Sequence, residues 1–298
     1  MKITWPILFL LTFLIVDTAS AQQWRRDRKE YVFGIGASNF LGDLGGADQI
    51  GTNGFRDLDW PATRPGMSIG YRYRTGKQNC VKGMMHLAYL SGDDKKTDEI
   101  YRNNRNLNFR TPIIEINGQF EWMLTRQREG HRYKLRGIQG WRNINIESYI
   151  FIGAGLMWFN PQGSYHTNWV ALKPLCTEGQ GLVESRKPYH RIQPVIPLGF
   201  GFKYAISREW SIGLEYGIRK TWTDYIDDCS TTYFDNDEIR AEKGDIAAYM
   251  ADPSLGEVPG QSTPNAQRGD PTDHDAYMFA EITFYYKIPR GGFSIPKF

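Results

Sequence analysis

Eight short segments of the chain alternate apolar and polar residues. In residues 210–219, for example, every even position is apolar and every odd position is small or charged. Because successive side chains of a strand point to opposite faces, each segment predicts a strand with one apolar face. The predicted strands cover residues 31–38, 66–74, 81–90, 114–122, 149–158, 196–205, 210–219 and 277–288.

The apolar faces are rich in aromatic rings, and this decides which face points outward. A soluble, lipocalin-like barrel would place them inside, but an eight-stranded barrel has room for few rings. With the rings in lipid, Tyr73, Trp122, Trp158 and Trp210 lie at strand ends, where interfacial girdles occur. We therefore predict an all-β fold, an eight-stranded antiparallel transmembrane β-barrel with long outer loops, in the bacterial outer membrane.

The polar faces place charges of both signs inside the predicted barrel. They are Arg72, Arg74, Lys82, Lys203, Arg219 and Lys287 against Glu115, Glu121, Glu215 and Glu281. Buried charges persist when they are paired, so this near balance predicts a salt-bridged plug. The alternative is a proton or ion path, although eight strands leave no open channel.

The first 21 residues have the features of a secretory signal peptide. Lys2 gives a positive start, residues 7–16 are apolar, and residues 19–21 form a small-residue cleavage site. The alternative is an N-terminal anchor helix, for which the apolar run is short. We predict that residues 22–298 form one barrel domain that contacts outer-membrane lipid. The net charge of +3 is too small to imply a nucleic-acid partner.

Strand order sorts the connections by side, with long loops outside and short turns in the periplasm. One predicted periplasmic connection, residues 123–148, is instead long and basic. We call its six cations the basic turn: Arg126, Arg128, Arg132, Lys134, Arg136 and Arg142. Such a charge run is either a solvated face or a docking surface for a periplasmic partner.

The chain has three cysteines, and an exported protein meets an oxidising compartment. Cys176 and Cys229 both fall in long outer loops, so we predict a disulfide between them. Cys80 falls at the opposite membrane face and cannot reach either. It is an intermolecular partner-binding residue or a small lipid-facing or turn residue.

Motifs for catalysis, metal binding and phosphate binding are missing from the sequence. The pairs Asp93-Asp94 and Asp227-Asp228 lack the spacing of a calcium loop. We predict no cofactor and no enzymatic activity. The alternatives are an outer-membrane protease or acyltransferase with a loop active site, or a passive structural barrel. No nucleophile accompanies the outer-loop histidines His166, His190 and His274.

Several phrases go beyond the general barrel pattern. They are GASNFLGDLG at 36–45, SGDDKK at 91–96, RNLNF at 105–109, ALKPLCTEGQG at 171–181 and TDYIDD at 223–228. With these phrases the chain resembles the PorG-like outer-membrane barrels of the Bacteroidota type IX secretion system. The resemblance spans most of residues 22–298.

The resemblance implies a role in protein export. Barrels of that family are accessory membrane components and not the translocation pore. They associate with a periplasmic ring built from a lipoprotein and its partner protein, and the ring serves export of cargo with a C-terminal signal domain. By resemblance, we expect a non-enzymatic component of type IX secretion that anchors or docks this ring.

Overall fold

Strands dominate the computed structural model, which describes residues 28–44, 62–97, 99–125, 146–207 and 209–288. Within these ranges eight long strands close into one antiparallel barrel, as predicted. They are β1 (Lys29–Leu41), β2 (Arg64–Arg74), β3 (Asn79–Asp93), β4 (Asn108–Met123), β5 (Ile146–Phe159), β8 (Ile192–Ala205), β9 (Trp210–Thr221) and β10 (Ala276–Lys287). The predicted signal peptide and the basic turn lie outside the described residues.

The barrel closes because its first and last strands pair along their whole length. Phe33 of β1 lies opposite Phe284 of β10, and Ile35 lies opposite Ile282. The register therefore places apolar side chains in rows on the same surface. No helix in the described ranges is long and apolar enough to cross a membrane.

The apolar side chains face outward, as the alternation predicts. Ile35, Ile116 and Leu214 are 59%, 62% and 61% exposed. In contrast, Glu121, which faces inward on the same strand as Ile116, is fully buried. Leaving such side chains in water costs about 1.5–3 kcal/mol each. A continuous belt of them around a closed barrel matches the lipid-facing surface of an outer-membrane barrel and excludes the soluble alternative.

Strands β4 and β8 extend further than the alternation predicts. Strand β4 begins at Asn108 instead of residue 114, and β8 begins at Ile192 instead of residue 196. Their extra residues rise into the loops at one barrel end, which fold as a unit that we call the cap. The cap comprises residues 94–97, 99–107, 160–191 and 222–275.

The cap contains regular structure that its irregular sequence pattern does not predict. It holds the hairpin β6 (Gln162–Tyr165) and β7 (Asn168–Ala171), with helices α1 (Ile100–Arg105), α2 (Asn236–Lys243) and α3 (Asp245–Ala251). The carboxylates of Glu99 and Asp235 cap α1 and α2 by accepting bonds from backbone N–H groups. A buried apolar cluster that includes Leu107, Phe109, Phe159 and Ile226 joins the cap to the barrel mouth.

The lumen holds aromatic rings as well as the predicted charges. Tyr149 and Phe151 of β5 point inward and are 1% and 2% exposed. The ring of Tyr149 lies against Gly201, and the ring of Phe151 lies against Gly199 and Gly217. The lumen has room for a few rings, as expected, because glycines on the facing strands leave the space that each of these rings fills.

Candidate functional site

A network of charged side chains crosses the lumen on the side of the short turns. We call it the lumen network; it contains Glu30, Arg72, Lys82, Glu121, Lys203 and Glu215. Arg72 is its centre: Nε donates to Glu121 at 2.6 Å, and Nη1 donates to Glu30 at 2.7 Å. The planar guanidinium group can serve two carboxylates at once, which a lysine ammonium group does with less directional control.

Two lysines complete the lumen network. Lys82 Nζ donates to Glu215 at 2.5 Å and lies 3.1 Å from Glu121, while Lys203 Nζ donates to Glu30 at 2.6 Å. The three cations balance the three carboxylates, and each of these side chains is at most 6% exposed. Such pairing offsets much of the cost of removing charges from water.

Tyrosines tie the charged groups to the barrel wall. The Tyr149 hydroxyl donates to Glu215 at 2.8 Å and lies 2.8 Å from the Tyr285 hydroxyl. The Lys203 ammonium group lies 4.4 Å from the centre of the Tyr285 ring. Attraction between a cation and a ring face adds to the ion pairs in a desolvated site.

A second polar group fills the lumen nearer the cap. Glu115 accepts a 2.6 Å bond from the Tyr277 hydroxyl and lies 3.6 Å from Arg219. The His86 ring stacks on Phe279 at 5.0 Å and lies 3.4 Å from Glu281. Together with the lumen network, these side chains occupy the lumen from the turns to the cap, so the arrangement fits a plug better than a channel.

Arginines hold the cap together from inside. Arg105 donates to Asp94 at 2.8 Å and to the backbone carbonyls of Asp43 and Arg268 at 2.9 and 2.8 Å. Arg268 donates to Glu178 at 2.9 Å and to the Asp228 carbonyl at 2.7 Å. Each guanidinium group thus joins segments that are far apart in the chain.

Asp228 is a buried carboxyl of the cap held by two hydroxyl groups. Thr177 and Tyr189 each donate to it at 2.6 Å. Burial raises the pKa of Asp228 to about 6, although Arg268 and the two hydroxyls act in the opposite direction. The phrase TDYIDD, which the sequence singles out, therefore serves the interior of the cap.

The predicted disulfide between Cys176 and Cys229 is not formed in the structure, which keeps both thiols free. Cys229 is buried, and its thiol donates to the Arg268 carbonyl at 3.2 Å. The Cys176 thiol instead contacts the carbonyls of Lys173 and Pro174. Each sulfur is thus engaged with a different part of the cap.

The assignment of Cys80 to a periplasmic turn is wrong. Strand β3 begins at Asn79, so Cys80 is a strand residue that faces the lumen and is fully buried. It packs with Met123, Tyr149 and Phe151. A thiol inside the barrel wall cannot meet another protein, so the intermolecular role is removed.

The remaining predicted partner residues lie outside the described residues: Arg126, Arg128, Arg132, Lys134, Arg136 and Arg142. The ten predicted inward charges lie on the inner side of their strands, and Arg72, Lys82, Glu121, Lys203 and Glu215 join one network. Sequence reasoning missed Glu30 and Glu147. Both precede a predicted strand by one or two residues, and extending the alternation to them would have placed both inside.

Comparisons with known proteins add fold-level likenesses only. No protein-family model matches the sequence, and neither does any functionally curated protein. Similar solved structures include Ail, the attachment invasion locus protein of Yersinia pestis, in complex with the heparin analogue sucrose octasulfate. Ail and this chain are 10% identical with a TM-score of 0.36, and the match covers 88% of this chain and 99% of Ail.

Two further solved structures give comparable values. Neisserial surface protein A has 7% identity and a TM-score of 0.34, over 87% of this chain and 96% of its own. OprG from Pseudomonas aeruginosa has 9% identity and a TM-score of 0.31, over 89% and 98%. Values this low carry no inference about ligands or activity, and the architecture of the present chain rests on its own strand pairing and exposed belt.

Proposed function

We propose that this chain is a non-conducting, non-enzymatic outer-membrane component of the type IX protein secretion machinery. In this role the barrel anchors a periplasmic ring made of a lipoprotein and its partner protein. The observation that carries the proposal is the filled lumen. Arg72 and Lys82 link carboxylates from three strands across it, so the barrel offers a membrane anchor and not a conduit for exported protein.

The two ends of the barrel support docking from the periplasm. The cap folds over one end and buries its loops in a common core. The other end carries the short connections from β2 to β3 and from β8 to β9, and it also carries the ends of β4 and β5, between which the basic turn lies in the sequence. Because long loops face outward in outer-membrane barrels, a periplasmic position of the basic turn is part of the proposal. Clustered cations there suit an acidic surface of a ring protein.

A crosslinking pull-down from outer membranes tests the proposal. Wild-type protein is expected to recover the ring lipoprotein and its partner, and the triple variant Arg132→Glu, Lys134→Glu, Arg136→Glu is expected to lose them. The matched control is Arg240→Glu, which reverses an exposed charge on the cap. Equal recovery with the triple variant would overturn docking through the basic turn.

The same experiment separates the remaining alternatives. Failure of wild-type protein to recover any partner would leave a passive structural barrel. The heat-dependent migration of folded barrels on gels checks that each variant is folded before its partners are compared.

A further inference from the structure

Four carboxyl groups meet where the cap joins the barrel mouth. We call them the carboxyl cluster: Asp43, Asp224, Asp227 and Asp275. Asp43 follows β1, Asp224 and Asp227 follow β9, and Asp275 precedes β10. The cluster therefore lies at the junction of three strand ends and above the lipid-facing belt.

The carboxyl cluster binds backbone groups that connect the cap with the barrel. Asp227 accepts from Leu44 N at 3.0 Å and from Cys229 N at 3.0 Å. Asp275 accepts from Ile226 N at 2.8 Å. These bonds fix the start of the β9–β10 connection against the segment that follows β1, and they hold the cap over the lumen.

The buried carboxylate oxygens of the cluster have few hydrogen-bond partners. Asp224 is 6% exposed and has the Ser230 side chain as a hydrogen-bonding neighbour, and Oδ1 of Asp275, which is 1% exposed, has no partner among the described residues. This Oδ1 points at the Gly42 backbone, where an added Cβ would lie 2.2 Å away. It is thus turned toward the segment that carries Asp43 and away from water.

The buried cations of the cap pair with carboxylates that do not belong to the carboxyl cluster. Among the described cap residues, the buried cations are Arg105 and Arg268, and they pair with Asp94 and Glu178. No ion pair within 4 Å reaches the carboxyl cluster among the same residues. Several ionised carboxylates buried without a counter-charge are too costly to persist, so a proton or a cation must neutralise them.

Bound protons fit the geometry better than a metal ion. Among the residues that the structure describes, no three His, Cys, Asp or Glu side chains are arranged to hold a metal. Burial raises the pKa of Asp224 to about 8 and that of Asp43 to about 6. Burial and repulsion between the carboxyl groups also raise the pKa values of Asp227 and Asp275 well above their usual range.

The charged groups around the carboxyl cluster do not remove its preference for bound protons. Arg105 favours ionisation of Asp43, whereas Glu178 and Asp270 oppose ionisation of both Asp43 and Asp224. The Cys229 thiol lies near Asp227 and Asp43. His274 and Lys220 are exposed at the rim, where Lys220 donates to the His274 carbonyl.

We propose that the carboxyl cluster is a proton-operated latch. Its protons hold the cap closed over the barrel mouth, and their release loosens the cap while the barrel stays folded. This device is independent of the proposed role in secretion, because it concerns the end of the barrel opposite the basic turn.

The direction of the pH effect follows from proton linkage. A carboxyl has a pKa near 4 when the cap is open and water reaches it. The closed cap therefore holds more protons than the open cap. Its stability therefore falls as the pH rises from about 4 to about 8, where Asp224 loses its proton in the closed cap.

Hydrogen–deuterium exchange of the full-length protein in lipid nanodiscs with EDTA tests the latch. We compare peptides that contain Leu44 and Ile226 at pH 6 and pH 9, after correction for intrinsic exchange. For one group whose pKa is near 4 in the open cap and about 8 in the closed cap, the corrected rate is expected to rise about a hundredfold. The barrel strands should not change. Asp224→Asn, which mimics the protonated acid, should remove about this factor.

The controls separate the latch from other causes. The Asp237 side chain lies in the same connection and is 91% exposed, so Asp237→Asn should behave as wild type. If Asp224→Asn does not fold, Asp275→Asn replaces it. Equal corrected rates at pH 6 and pH 9 would overturn the latch. So would a cap that is open in EDTA at pH 6 and closes on addition of Ca²⁺, since a metal would then be the neutralising species.

Discussion

Arg72 donates a 2.6 Å hydrogen bond to Glu121 in the middle of the lumen, although the two residues lie 49 positions apart on different strands. Arg72 also binds Glu30, and Glu121 also lies beside Lys82. Each side chain thus has a second partner of opposite charge. The pair is one link of a neutral network that crosses the barrel, so removal of one partner alone leaves the network with a net charge.

Arg72→Ala is expected to destabilise the barrel by about 3–5 kcal/mol, because it leaves carboxylates buried with too few cations. Urea unfolding of the refolded protein, followed by gel migration, measures the loss. The matched control is Arg240→Ala, which breaks an exposed ion pair with Asp237 and should change stability by less than about 0.5 kcal/mol.

Restoring neutrality should recover part of this loss. The double variant Arg72→Ala, Glu121→Gln removes one charge of each sign, so it is expected to be more stable than Arg72→Ala alone. A double variant that is less stable than the single variant would show that charge balance does not govern the lumen, and that the loss comes from packing.

Much of the barrel could be predicted from sequence because one face of every strand meets lipid. Because every second residue of a strand faces lipid, the sequence pattern alone predicts that Arg72 and Glu121 lie on the inner face. Their pairing was not predictable, because it depends on the register of strands around the closed barrel. Cys80 was misplaced at a strand boundary, although it shares the inward parity of Lys82.

The cap escaped prediction for a different reason. Its order comes from single long-range contacts, such as the bond from Leu44 N to Asp227, which joins residues 183 positions apart. Such contacts leave no periodic trace. The sequence pattern therefore does not show that Asp224, Asp227 and Asp228 of the last connection are buried.

The outward face of the barrel is expected to reject charge. Leu214→Arg places a cation on the lipid-facing belt and should destabilise the refolded barrel by about 2–4 kcal/mol if the side chain lies near the bilayer midplane. Ile100→Arg is the control, since Ile100 is similarly exposed, at 68% against 61%, but lies on the cap. Equal losses in urea unfolding would contradict the assignment of the belt to lipid.

Two glycines on opposite faces should respond differently to the same substitution. Gly201 faces the lumen, and an added Cβ would lie 2.3 Å from the Tyr149 ring, whereas Gly118 has open space on the lipid side. Gly201→Val should therefore reduce the folded fraction strongly, and Gly118→Val should be tolerated. The folded fraction is measured by heat-dependent gel migration, and the reverse order would show that the faces are misassigned.

Reconstitution in planar bilayers tests whether the filled lumen conducts ions. The purified protein is expected to give no conductance steps above leak, because paired charges and rings occupy an eight-stranded lumen. A sixteen-stranded porin in the same bilayer confirms that channels are detected. Regular steps from the wild-type protein would remove the main support for a non-conducting anchor.

Loss of Glu178 should loosen the cap while leaving the barrel closed. Glu178 is fully buried, pairs with Arg268 and accepts bonds from Ser230 N and Thr231 Oγ1 at 2.9 and 2.8 Å. Glu178→Ala leaves a buried arginine unpaired, which costs about 3–5 kcal/mol. Because the strand ladders and the lumen network do not include Glu178, added protease should cleave the cap faster, while heat-dependent migration still reports a folded barrel. Unfolding of cap and barrel together would instead show that they form one cooperative unit.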